Sequence, residues 1–177
     1  MKNHFSRIRA ELEGKALDAL LITSGANVFY TSAFHTTGEG DALSVVTKDG
    51  AYFITDGRYT EAAQASVRDA ELIIRENAAS YVPYLKKILS DGQVKRLGFE
   101  DAALTVKQYR EFSEALPCEF VPASDVLVKL RASKDTDEVK CMRDAQRIAD
   151  RALTQLLEEL RLGMTEKEIA ARSEEHI

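Results

Sequence analysis

The chain has 177 residues, of which 45% are hydrophobic, and a formal net charge of −5. That length suits one domain, or one domain with part of a second, and the apolar fraction is ample for a core. An acidic balance argues against nucleic acid, which calls for a basic face, and no run approaches the roughly 20 apolar residues of a membrane helix. Met1-Lys2-Asn3-His4 leads straight into an amphipathic pattern with no apolar leader segment. Cys118 and Cys141 lack CxxC spacing and read as reduced thiols. The expectation is a soluble, cytoplasmic protein.

Phe5, Ile8 and Leu12 recur at helical spacing, and Gly14 ends that first helix. Asp18 to Ile22 is a continuous apolar run that suits a buried strand. Thr23-Ser24-Gly25 breaks it, and Val28, Phe29 and Phe34 indicate a short helix. Ala42 to Thr47 and Ala51 to Thr55 read as strands joined at Lys48-Asp49-Gly50, where Asp-Gly is expected to supply the positive φ of a tight turn. Asp56 is placed to cap a helix through Tyr59, Ala63 and Val67.

Strands at 72–75, 96–99 and 119–121 then alternate with helices at 81–89 and 105–116. The second of these helices opens with a Thr105–Gln108 capping box. The pattern is an α/β domain with a mixed sheet flanked by helices. Beyond Ser133 everything is helical. Ser133 is expected to cap a long helix with Asp135, Asp137 and Glu138 in its first turn, and Gly163 to close it as a C′ glycine. Thr165 and Glu168 form a capping box for a further helix. The apolar face of the long helix includes Leu153, Leu156 and Leu160 and has nothing supplied to pack on, as at the start of a second domain.

The candidate functional residues are few. His4 reads as a solvated terminal side chain. Glu174-Glu175-His176 is superficially metal-like, but adjacent helical residues point in different directions. Asp56-Gly57-Arg58-Tyr59 reads as structural: Asp56 caps, Tyr59 packs and needs a hydroxyl partner, and Arg58 pairs with a carboxylate across the sheet's edge or across an interface. Tyr52 and Phe53 read as core or interface. Gly38 and Gly40 make no phosphate loop, since no GxxxxGK[ST] follows, and neither a Gly-x-Ser-x-Gly elbow nor an HExxH helix is present.

Several segments, in order, resemble the aminopeptidase P, prolidase and creatinase family. They are Asp18-Ala-Leu-Leu-Ile-Thr-Ser24, Phe29-Tyr-Thr-Ser-Ala-Phe34, Thr55-Asp-Gly-Arg-Tyr59, Leu97-Gly-Phe-Glu100, Leu130-Arg131 with Lys134-Asp-Thr-Asp-Glu138, and Gly163-Met-Thr-Glu-Lys-Glu168. The resemblance implies a creatinase/prolidase-type N-terminal domain at 1–128. Residues 129–177 would then be the first helices of a catalytic pita-bread domain that stops before its metal site.

In that family two divalent metal ions (Mn, Zn or Co) activate a bridging water for Xaa-Pro cleavage. Their ligands lie downstream, so the resemblance implies no catalytic and no metal residue here, and no cofactor in this chain. The partners it implies are the chain's own catalytic domain, a second copy in a homodimer, and short proline-containing peptides. In dimeric relatives the N-terminal domain can approach the partner's active site. The loop Phe34–Asp41 could form part of that wall, with His35 and Arg58 as its candidate residues for substrate or interface contact; Ala33 stands where the family usually has glycine. The function that follows is the N-terminal, non-catalytic part of a metal-dependent Xaa-Pro aminopeptidase or dipeptidase. The alternatives are a stand-alone dimerisation or ligand-binding module, or a fragment of a creatinase-like hydrolase.

Overall fold

One antiparallel strand interrupts an otherwise parallel sheet. The computed structural model describes residues 3–35, 38, 40–76 and 80–175. Its six strands are β1 (Ala19–Ile22), β2 (Ala42–Thr47), β3 (Ala51–Asp56), β4 (Glu71–Arg75), β5 (Arg96–Phe99) and β6 (Glu119–Pro122), in the order β4-β3-β2-β1-β5-β6. Only β2 runs against its neighbours; the β3–β4, β1–β5 and β5–β6 pairs are parallel.

The helices are α1 (Phe5–Gly14), α2 (Gly25–Ser32), α3 (Thr60–Ser66), α4 (Val82–Asp91), α5 (Val106–Ala115), α6 (Ser124–Ala132), α7 (Thr136–Glu159) and α8 (Glu166–Glu175). Strand periodicity sorts the core into two layers. Leu20 and Ile22 of β1 join Phe5, Ile8 and Leu12 of α1, Val28 of α2 and Val126 and Leu127 of α6. Ala19 and Leu21 point the other way, toward Leu85 and Leu89 of α4 and Phe112 of α5. A central strand covered on both faces must be apolar throughout, which is why Ala19–Ile22 carries no polar residue.

Local chemistry explains most boundaries and corrects several expectations. The β2–β3 turn forms without positive φ at Asp49 or Gly50. Thr47 closes it instead: its amide donates to the Gly50 carbonyl at 2.9 Å, and its hydroxyl oxygen accepts the Gly50 amide at 2.9 Å. Asp56 caps a 3₁₀ turn, Gly57–Tyr59, before α3 begins, because its oxygen reaches the Arg58 amide two residues on. Ser133 does not cap α7. Asp135 does, accepting the Glu138 amide at 2.9 Å and donating its own to the Glu138 carboxylate at 2.8 Å.

The Thr105–Gln108 box is present as expected. The chain divides into two units, Met1–Ser133 and Lys134–Ile177. In the first unit α6, whose Leu130 is buried in its core, continues through Ala132.

In the second unit α7 ends at Glu159 with Leu160 extended, short of the expected glycine stop. Gly163, at φ 94°, instead shapes the turn into α8, which Thr165 and Glu168 cap reciprocally. Of α7, Ala152 and Leu156 are buried, whereas Met142, Ile148, Leu153 and Leu157 are exposed. No described helix is long and apolar enough to cross a membrane.

Candidate functional site

Parallel strands deliver their C-terminal ends to one rim of the sheet, and the start of antiparallel β2 arrives there too. Asp56 closes β3 and Arg75 closes β4, opposite one another in the ladder. Both are buried, Asp56 to 2% exposure and Arg75 to 9%, and charges so placed require partners. Arg75 Nη2 lies 3.5 Å from Asp56 Oδ2. The Arg58 side chain folds back as a fork, Nε to Oδ1 of Asp56 at 2.9 Å and Nη2 to Oδ2 at 2.8 Å.

Arg58 Nη2 also donates to Asp41 Oδ1 at 2.8 Å, while the other Asp41 oxygen accepts the Tyr59 hydroxyl at 2.7 Å. Two further bonds fix the backbone before β2. The Thr55 hydroxyl donates to the Asp41 carbonyl and the Tyr81 hydroxyl to the Gly40 carbonyl. The Arg75 guanidinium stacks 4.4 Å over the Tyr81 ring.

Two aspartates and two arginines make this cluster neutral as a whole. The Tyr59 hydroxyl, then Arg58, holds the Asp41 carboxyl below the usual range; Arg58, then Arg75, does the same for Asp56. Burial pushes the Tyr81 phenol up. Arg58 is held even more firmly in its charged form by Asp56 and Asp41. Its carboxylate partners therefore come from its own turn and from the start of β2, inside the first unit.

Arg58 nonetheless stays on the surface, its side chain 60% exposed. Nε and Nη2 carry the bonds to the two aspartates, so the cation is oriented rather than loose. His35 is exposed and meets Phe29 edge-on at 5.8 Å between centroids. Among the described residues it does not join the Arg58 cluster. Thr36, Thr37 and Glu39, between His35 and Asp41, lie outside the described residues, as does His176 of the metal-like Glu174-Glu175-His176.

His4 departs from expectation. It is buried, its Nδ1 sits 3.0 Å from the Tyr30 carbonyl oxygen, and its ring stacks on Tyr30 at 4.2 Å. The backbone bond from its amide to Thr31 draws it inward against α2. The sequence reading also missed Asp41, Arg75 and Tyr81. Only one signal was available: an arginine directly ending the apolar run Leu72–Ile74 has to find a carboxylate.

Farther along the same rim, Glu100 directly follows β5 with 2% exposure. Its carboxylate accepts the Ser24 amide at 2.9 Å, the Ser24 hydroxyl at 2.8 Å, the Thr23 amide and hydroxyl, and the Asn27 amide group. It thereby satisfies the backbone N–H groups of Thr23 and Ser24, just ahead of α2. The helix after β1 joins one core layer and the helix after β5 the other. Where the two part there is a cleft of about 740 Å³ lined in part by Ser24, Tyr81, Thr105, Lys107 and Glu111.

A pair of metal ions does not fit these residues. The Asp41 and Asp56 carboxylates are filled by guanidinium and hydroxyl donors, and Glu100 by amides and hydroxyls. Within either unit taken by itself, no three His, Cys, Asp or Glu side chains converge among the described residues.

The family model described as the creatinase/prolidase N-terminal domain matches residues 5–133. The chain belongs to the creatinase/prolidase family. A second model, metallopeptidase family M24, matches residues 140–177. The chain is 36% identical over 155 residues to the uncharacterised peptidase YqhT of Bacillus subtilis, covering 87% of this chain and 42% of that protein.

Among solved structures, the Xaa-Pro dipeptidase from Bacillus anthracis superposes with a TM-score of 0.87 at 30% identity, over 97% of this chain and 47% of that one. The N-terminal domain of cytoplasmic peptidase PepQ from Mycobacterium tuberculosis gives 0.62 at 30% identity, over 73% of this chain and 99% of that one. This creatinase/prolidase chain thus spans about half the length of the longer relatives it matches. Its mixed α/β sheet is the fold they share.

Proposed function

We propose that this chain is the N-terminal, non-catalytic part of a metal-dependent Xaa-Pro aminopeptidase or dipeptidase, acting in the cytoplasm on short proline-containing peptides. One observation carries the reading: the creatinase/prolidase match ends at 133 and a metallopeptidase match takes up at 140. The exposed apolar side chains of α7, among them Leu153 and Leu157, support a catalytic domain that continues over that face. Two divalent ions, bound by residues beyond this chain, would supply the activated water.

In this reading the first unit shapes substrate access and contributes to a homodimer interface. His35 and Arg58 belong to the wall that faces the peptide, with Arg58 held in place by Asp41 and Asp56 for contact with a carboxylate or carbonyl. The test uses the whole reading frame that contains this chain, purified and assayed on Xaa-Pro peptides with Mn²⁺, Co²⁺ or Zn²⁺. Metal-dependent cleavage by the long protein and none by residues 1–177 is expected. Activity of the 177-residue chain alone, or none in the long protein with any of these metals, overturns the reading. In the active protein, His35→Ala and Arg58→Met are each expected to raise KM with kcat little changed. Unchanged KM in both removes these residues from the wall.

A further inference from the structure

The two edges of the sheet are unequal. At one edge, β6 is four residues long and ends in Pro122, which has no N–H to offer a neighbour. Its Phe120 is occupied by Phe99 and Tyr109, with ring centroids 5.6 and 5.8 Å away. The other edge is β4, Glu71-Leu72-Ile73-Ile74-Arg75, with no proline and no lysine. Such a strand is a template for another strand. Ile74 is 38% exposed there, and Glu71 makes no ion pair among the described residues.

The five residues are also complementary to themselves. In an antiparallel pair centred on Ile73, Glu71 of each copy faces Arg75 of the other, and Leu72 faces Ile74. Opposite charges directly across a ladder are favourable, as are paired aliphatic side chains. A two-fold axis needs this kind of patch, since each contact then occurs twice. A one-residue slip loses the match and turns the apolar set to the wrong face.

We propose that β4 is the homodimerisation edge of this protein and that a second copy of the chain pairs with it antiparallel about Ile73. The inference rests on the dimer reading above and names where that dimer joins. The acid that Glu71 brings would reach the same end of β4 at which Arg75 meets Asp56 and Tyr81.

The closing experiment places single cysteines in a Cys118→Ser, Cys141→Ser background of the chain. Residues opposed across an antiparallel pair have Cα atoms about 4.5–5.5 Å apart, within disulfide reach, whereas position 74 and its own copy would lie about 8 Å apart. Mild oxidation is expected to cross-link Ile73→Cys into a covalent dimer at least 10-fold faster than Ile74→Cys.

Sedimentation equilibrium of Ile74→Lys, a change at an exposed site that leaves the fold intact, is expected to show at least a 10-fold weaker dimer than the unaltered chain. A dimer that ignores Ile74→Lys and fails to cross-link at 73 overturns the β4 edge while leaving a dimer standing. A chain that stays monomeric at 100 µM, alone and within the longer protein, overturns both this inference and the dimer reading.

Discussion

The Glu100 carboxylate stands 2.9 Å from the Ser24 backbone N–H, tying the end of β5 to the start of α2. Five donors from Thr23, Ser24 and Asn27 converge on its two oxygens. Glu100→Gln keeps the shape but turns an NH₂ toward donors and removes the negative charge. A loss of about 2–4 kcal/mol in urea-unfolding stability is expected, because buried donors are left without an acceptor. A loss under about 0.5 kcal/mol would show that the charge is not what holds this corner.

Acid should unlock the opposite rim. The Lys48 ammonium, with help from the Lys95 and Arg96 amides, holds the Asp18 carboxyl down at about 2. A carboxylate depressed in the folded state stabilises fully above its ordinary value near 4, and that contribution drains away as pH falls toward 2. Asp18→Asn is therefore expected to cost up to about 2 kcal/mol at pH 7 and progressively less between pH 4 and pH 2. A mutant–parent difference that stays constant across that interval would contradict the assignment.

Ala33 ends α2 in the left-handed region, at φ 58° and ψ 14°. A Cβ there costs roughly 1–2 kcal/mol, against roughly 0.4–1 kcal/mol of extra unfolded-state entropy for glycine. Ala33→Gly should thus stabilise by about 0.5–1 kcal/mol, and Ala33→Val should destabilise by more than the glycine gains. Thermal melts of the three proteins in parallel decide it; a lower melting temperature for the glycine variant refutes the strain.

Amide exchange should separate the two units. Most of α7 is exposed, with Ala152 and Leu156 its buried side chains, whereas every residue of β1 is buried. In the 177-residue chain, α7 amides are expected to exchange faster than those of Ala19–Ile22. Equal protection in a verified monomer would mean that α7 finds full packing without further chain.

What could be read from the sequence was what local chemistry decides. The apolar run at 19–22, the Thr105 capping box and the alternation of helix with strand all follow from near neighbours, and all are present. Long-range pairing was hidden. Nothing near residue 41 announces that Asp41 will meet both Arg58 and Tyr59, or near residue 4 that His4 will stack on Tyr30. The apolar rhythm of α7 runs on to Leu160, but the backbone is extended there, so the helix ends short of Gly163. Ser133 and Asp135 both have capping chemistry, and only Asp135 has Glu138 three residues on to complete the box.

The near-parallel sheet has a consequence for how this domain can diverge. Asp18, Lys48 and Arg96 lock strand register at one rim, and Asp41, Arg58 and Glu100 gather at the other, a strand's length away. Strand alignment is thus anchored at a distance from the residues that face outward beside Arg58. Exposed positions beside Arg58 can therefore change with the strand register intact, whereas Glu100 on the same rim cannot.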